Sequence, residues 1–196
     1  MDLTPTTLEG RSVRLEPLSL AHLEALCAVG LDERIWKLNP RQPVQAPADM
    51  RRYIEFALQQ QATGTALPFA TIHTGAGHAV GSTRFADIDR DNRRLEIGYT
   101  WIAPPWQRTV VNTEAKYLML RHAFETLGCV RVELKTDALN ERSRNAILRL
   151  GATQEGIFRN HMVTWSGRLR HSVYFSIIDS EWPAVKANLE AKLAGR

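Results

Sequence analysis

Two cysteines, Cys27 and Cys129, are all that this sequence of 196 residues contains, so no disulfide framework holds it together. It also lacks any apolar run near the roughly 18 residues of a membrane-spanning helix, and Met1 to Gly10 carry no basic, apolar leader. Those absences predict a cytoplasmic chain with reduced, packed thiols. No Pro-, Gly- or Ser-rich tract and no long-period repeat interrupts the sequence, which leaves 1–196 as one domain. Arginines are scattered among Asp and Glu, without the basic stripe and interleaved aromatics of a nucleic-acid surface, so the net charge of +4 sets only a mild field. The six histidines have no Cys or carboxylate at ligand spacing, and no metal is expected.

What is present is ordinary for a globular domain: 44% hydrophobic and 23% charged residues. A chain of this length buries roughly 70% of its unfolded surface around a single core. Period-2 alternation predicts strands over 11–18, 67–73, 80–86, 95–101, 130–136, 153–165 and 169–178. Helical periodicity and stop signals predict helices after Ser19, from Pro47 to about Gln61, over 111–127, over 140–150 and over 182–193. Gly128 and Gly151 end the third and fourth of these. The order implies an α/β fold with a βαβ crossover in the middle of a mixed sheet.

The stretch from Leu95 to Gly156 carries the chemistry. Strand 95–101 ends in Trp101-Ile102-Ala103-Pro104-Pro105, and a short polar loop, Gln107-Arg108-Thr109-Val110, leads to a helix start at Val111-Asn112-Thr113. A helix start offers free N–H groups and a positive dipole end, which suits a pyrophosphate; it is equally the plain connection that every βα unit needs. Glu96 shares a strand face with Gly98 and Thr100, opposite Leu95, Ile97 and Tyr99. It reads either as a general base or as a surface carboxylate paired with an Arg. Asn140 reads as a helix N-cap and Ser143 as an ordinary polar helix residue unless a ligand reaches them. His161, His171, Trp36, Trp106, Trp165 and Phe158 either shape an acceptor pocket or are packed structural side chains.

The ordered set Glu96-Ile-Gly-Tyr99, Gln107-Arg-Thr-Val-Val-Asn-Thr-Glu-Ala115, Asn140-Glu-Arg-Ser143, Leu150-Gly-Ala152 and Glu155-Gly156 resembles the GNAT superfamily of N-acetyltransferases, in the branch of the ribosomal-protein N-terminal acetyltransferases. The resemblance runs from Gly10-Arg-Ser-Val-Arg-Leu-Glu-Pro-Leu18 to Tyr174-Phe-Ser-Ile-Ile-Asp-Ser-Glu-Trp182. It implies a single-domain α/β fold whose mixed, mostly antiparallel sheet of about seven strands splays at its centre and is flanked by helices. It implies acetyl-CoA as cosubstrate, with the backbone of Trp101, Ile102 and Ala103 along the pantetheine arm. The pyrophosphate would meet Gln107, Arg108, Thr109, Val110, Val111, Asn112 and Thr113, and the pantetheine and thioester end would meet Asn140, Ser143 and Asn145. The catalytic pair would be Glu96 as base toward a primary amine and Ser143 as donor to the thiolate, since Ile147 stands where many relatives carry a tyrosine acid. A homodimer is implied by family habit; a CoA-binding protein of the same fold that has lost catalysis is the alternative. Val110 stands in the family's glycine position, where a β-branched residue at positive φ would cost about 1–3 kcal/mol. The loop is therefore expected to hold Val110 at negative φ.

Overall fold

A computed structural model describes residues 1–195. The chain opens on two short antiparallel strands, β1 (Leu8–Glu9) and β2 (Val13–Pro17), where one strand over 11–18 was expected. The turn between them is closed by the Glu114 carboxylate, which accepts the N–H groups of Arg11 at 2.6 Å and Ser12 at 2.8 Å. A 3-10 turn after Ser19 feeds α1 (Leu23–Gly30), and one further turn of helix, α2 (Glu33–Trp36), follows. Next comes α3 (Pro47–Ala62), with proline in its first turn and Asp49 accepting the N–H groups of Gln45 and Ala46.

The hairpin of β3 (Leu67–His73) and β4 (His78–Asp89) leads into β5 (Arg94–Ile102). A crossover helix, α4 (Val110–Arg121), is prolonged by a π-helical turn to Thr126, and Gly128 at φ +66° releases the chain into β6 (Arg131–Asp137). Asn140 caps α5 (Glu141–Leu150) by accepting the Ser143 N–H at 3.1 Å, and Gly151 at φ +105° stops it. The long hairpin of β7 (Thr153–Val163) and β8 (Leu169–Ile178) and the helix α6 (Trp182–Ala194) complete the fold. No helix among the described residues is long and apolar enough to cross a membrane.

The sheet has eight strands in the order β1-β2-β3-β4-β5-β6-β8-β7, one more than expected because the two-residue β1 is too short to show a period. Only β5 and β6 run parallel, and they pair for three residues, Arg94–Glu96 against Arg131–Glu133, before parting. Two apolar layers enclose the sheet. On one face α4, α5 and α6 pack Val111, Leu118, Ile147 and Leu189 against Leu95, Ile97 and Val132. On the other, α1 and α3 pack Leu26, Met50 and Ile54 against Trp36, Ala70 and Trp101.

Tyr99 departs from the expected face. Pairing of β4 with β5 shifts between Ser82 and Arg84, so that Thr83 stands opposite the extra residue, and Tyr99 takes φ 51°. After this bulge the alternation is inverted: Thr100 hydrogen-bonds to Thr83 and Lys116 on the α4 side, while Trp101 joins Trp36 on the opposite side. Beside the bulge, a Cβ at Gly81 would lie 2.2 Å from the carbonyl oxygen of Trp101. Gly81→Ala therefore forces two backbones apart and is expected to lower stability by about 1–3 kcal/mol, the usual cost of overpacking. Denaturant melts check this, and an unchanged midpoint would show that β4 yields freely there.

Candidate active site

Glu96 is the last paired residue of β5 before the sheet opens. It is buried, not a surface carboxylate, and its partner is a lysine: Lys135 on β6 lies 2.6 Å from its Oε2 and 3.0 Å from Oδ2 of Asp87. The carboxylate folds back over Gly98, where a Cβ would stand 2.3 Å from Oε1, so a larger residue two places on would push the Glu96 carboxylate out of this position. Burial pushes the Glu96 carboxyl up to about 7, Asp87 adds to the shift, and Lys135 opposes it. Across the sheet, burial brings the Lys116 ammonium down to about 7. Lys116 donates to the hydroxyls of Thr100 at 2.6 Å and Thr83 at 3.2 Å, and so holds the bulge from beneath.

A cavity of about 420 Å³ opens above Glu96 and Lys135. Tyr99, brought to this face by the bulge, forms part of its wall with Tyr53 and Phe56 of α3. The segment from Trp36 to Val44 covers one side, and Met162 and Arg170 from the β7–β8 hairpin close another. Among the residues singled out in the sequence, Glu96 and Trp36 line this cavity; Ser143 and Asn145 do not. His161 and His171 belong instead to a shallow surface depression with Phe158, and His171, Phe158 and Trp165 are exposed, contrary to their expected packing. Trp106 packs on His73 with ring centroids 4.2 Å apart, away from the cavity.

The loop after β5 has its own geometry. Gln107 uses its side chain to hold the fold, donating to the Ile102 carbonyl at 2.7 Å and accepting from Arg142 of α5. Thr109 caps α4 by accepting the Val111 N–H. Val110 is the first helical residue and does not take positive φ; Arg108 does, at 63°. An exposed Arg108 and the first-turn N–H groups of Val110 and Asn112 follow directly on the part of β5 beyond Glu96 that β6 does not pair, and a helix start of this kind suits an anionic group. The Gln107–Arg142 contact sets that loop against the helix of Ser143, whose partly buried side chain lies one turn inside the Asn140 cap. Asn145 is exposed.

Lys135, Lys116 and Arg170 escaped the sequence reading. Lys135 had a signal, a polar position on the most regular strand, but its pairing with Glu96 depends on the parallel register, which one sequence does not disclose.

A family model described as an acetyltransferase (GNAT) domain matches residues 12–153. YdaF of Bacillus subtilis (strain 168), provisionally named a ribosomal N-acetyltransferase, is 33% identical over 110 residues. That stretch is 56% of this chain and 59% of the relative's length, so the match spans little more than half of it. The crystal structure of a GCN5-related N-acetyltransferase from Brucella melitensis is 34% identical at a TM-score of 0.89, covering 95% of this chain and 85% of that one. Mycobacterium smegmatis RimJ, solved in complex with CoA-disulfide, shares the fold at a TM-score of 0.83 with 22% identity, over 99% of this chain and 97% of its own.

A carboxyl raised to about 7 is protonated below that pH and a base above it, so any turnover that uses Glu96 rises as pH passes through about 7. Glu96→Gln is expected to abolish that rise and to lower turnover most above pH 7, with CoA affinity unchanged. A pH profile of kcat at saturating acceptor, with calorimetric CoA titration, tests this; the same ascending limb in the mutant would remove Glu96 as the base.

Proposed function

The chain belongs to the GNAT acetyltransferase family, and on that premise we propose that it transfers the acetyl group of acetyl-CoA to a primary amine by direct attack in a ternary complex. The observation that carries this reading is the placement of Glu96: buried, ionising near neutrality, on the floor of a cavity, where β5 and β6 part. The fold supplies a second reason, since RimJ, which shares it, has been solved with CoA-disulfide.

Acetyl-CoA as substrate would lie in the gap between β5 and β6, its pantetheine arm running along the backbone of Trp101 to Ala103 in place of the missing strand neighbour. Ala103 is already bonded to Val80 and Trp106 and the Ile102 carbonyl to Gln107, so a ligand there would bond to the remaining groups of that edge or displace Gln107. Its pyrophosphate would sit on the first turn of α4, with Arg108 beside it. Asn140 is committed to the α5 cap through its Oδ1, which leaves its side-chain NH2 as the group free to reach the pantetheine. The amine would enter from the cavity and give its proton to Glu96, directly or through one water, as its nitrogen attacks the thioester carbon. Lys135 keeps the nascent carboxylic acid and its anion close in energy, because the neighbouring ammonium offsets what burial costs the charged form. The departing thiolate needs a donor, and Ser143 is the one we assign. No enzyme nucleophile is required, and the two thiols have no part: burial holds Cys129 up at about 11.

A catalytically silent CoA-binding protein is the competing reading, and free-thiol release with acetyl-CoA across an amine panel, paired with mass detection of the acetylated product, separates the two. Release with product supports transfer; CoA binding without release supports the alternative. Ser143→Ala is expected to lower turnover about 10- to 1000-fold, the range for one positioned donor, while leaving CoA affinity in place. An unchanged rate would return Ser143 to the helix surface.

A further inference from the structure

The charges that line the cavity do not balance. Four are cations, Arg41, Arg52, Lys135 and Arg170, and two are acids, Asp49 and Glu96. Asp49 pairs with Arg52 and Glu96 with Lys135, which leaves Arg41 and Arg170. Arg170 is the more telling of the two. It is 6% exposed, its Nε is buried without a hydrogen-bond partner, and among the described residues no carboxylate comes within 4.0 Å of it. Asp137, the acid whose charge acts on it most, is already bonded to Arg168. A guanidinium is not driven neutral by burial, so Arg170 keeps its charge in a place where charge is costly.

Arg41 stands on the wall formed by the segment from Trp36 to Val44. Its guanidinium lies 4.5 Å from the ring centroid of Phe56 and donates to the Tyr99 hydroxyl at 3.0 Å, contacts that orient it without neutralising it. Below the aromatic wall a third cation, the fully buried Arg84, lies 4.1 Å from the Tyr99 ring centroid with its Nε and one terminal nitrogen unpartnered. With Asp49 and Glu96 each matched by a cation, the cavity carries a net positive charge from Arg41 and Arg170.

We propose that the acceptor is an amine that also bears a carboxylate, held by Arg170 with Arg41 as the second unmatched cation of the same cavity, while Glu96 receives the amine. This rests on the transfer reading above and narrows it. The fork of two parallel N–H groups on a guanidinium matches a planar carboxylate, and its arrival would satisfy the one cation of the cavity that the fold buries without a partner. Polyamines are excluded by the same balance, since a second ammonium would meet Arg41 or Arg170. The carboxylate can belong to a free amino acid or to an acidic residue at the start of a peptide; the chemistry at Arg170 is shared.

Thiol-release kinetics with matched acceptors separate these sources and test the proposal. One arm compares α-amino acids with their carboxamides, the other aspartyl peptides with asparaginyl peptides, and a diamine serves as control. In at least one arm the carboxylate is expected to raise kcat/KM about 10- to 100-fold, the worth of one charge-assisted bond. Arg170→Gln is expected to erase that preference by raising KM for the carboxylate far more than for the amide, and Arg170→Lys to keep part of it. The wild-type ranking and the lysine variant read the same question if the glutamine variant folds poorly. Equal use of acid and amide in both arms, a preference for the diamine, or an Arg170→Gln loss shared equally by both members of a pair would overturn the proposal. No thiol release with any amine would overturn the transfer reading beneath it.

Discussion

One extra residue in β5 organises everything that can act on a substrate. Without the bulge at Tyr99, strict alternation would turn Tyr99 and Trp101 toward α4 and leave the α3 face of the sheet without its aromatic wall. With it, Glu96, Tyr99 and Trp101 come to one side of a strand whose residues 95, 97, 100 and 102 serve the other. The strained backbone at φ 51° is held from several directions: Lys116 and Thr83 grip Thr100 from beneath, Gly81 admits the Trp101 carbonyl, and Tyr53 reaches the Tyr99 carbonyl and Ser82 from above. Bulges also increase local twist, and here the twist coincides with the place where β5 leaves β6. The aromatic wall of the cavity thus follows from one insertion, beside the place where β5 and β6 part.

The electrostatics are arranged around the same point. A carboxylate on one face and an amine on the other, both taken out of water, each drift toward neutrality near pH 7. Lys135 keeps Glu96 from drifting further, because an adjacent ammonium favours the anion that burial disfavours. Asp87, also at positive φ in a second irregularity of β4, anchors that lysine from the solvent side. Glu96 is therefore tuned by three strands, β4, β5 and β6, and none of the partners is its neighbour in sequence.

That separation explains which features were legible in the sequence. The elements were, because Pro47, Gly128, Gly151 and the alternation of Val132 and Leu134 are local signals with local causes. So was the crossover that opens the sheet; Glu96 was singled out by its position in the motif, but its burial and its lysine partner were not. The face of Tyr99 was not: a bulge is set by pairing with Thr83, sixteen residues earlier, and leaves the period of the strand itself unmarked until it is broken. Arg170, Lys135 and Arg84 were hidden for a related reason, since a charged residue in a strand reads as solvent-facing unless the layer above it is known. His171, Phe158 and Trp165 failed in the opposite sense, because aromatic residues in a strand suggest packing, yet the outer hairpin β7–β8 carries them beyond the last covering helix.

The loop between β5 and α4 shows how a family pattern is satisfied with different residues. Glycine is useful in such a loop where positive φ or a close approach is required, and here the positive φ has moved two residues upstream to Arg108. Val110 then enters the helix in an ordinary conformation, where a β-branched side chain costs little and its N–H still points along the helix axis toward an anion. The strain at Arg108 is maintained because its neighbours are fixed: Gln107 is tied to Ile102 and Arg142, and Thr109 to Trp106 and Val111. With those side chains occupied internally, a pyrophosphate bound here as proposed would be gripped by the backbone donors and the Arg108 charge rather than by Gln107. The consequence is a site whose affinity depends on loop rigidity, because donors held by the fold lose little freedom when an anion arrives.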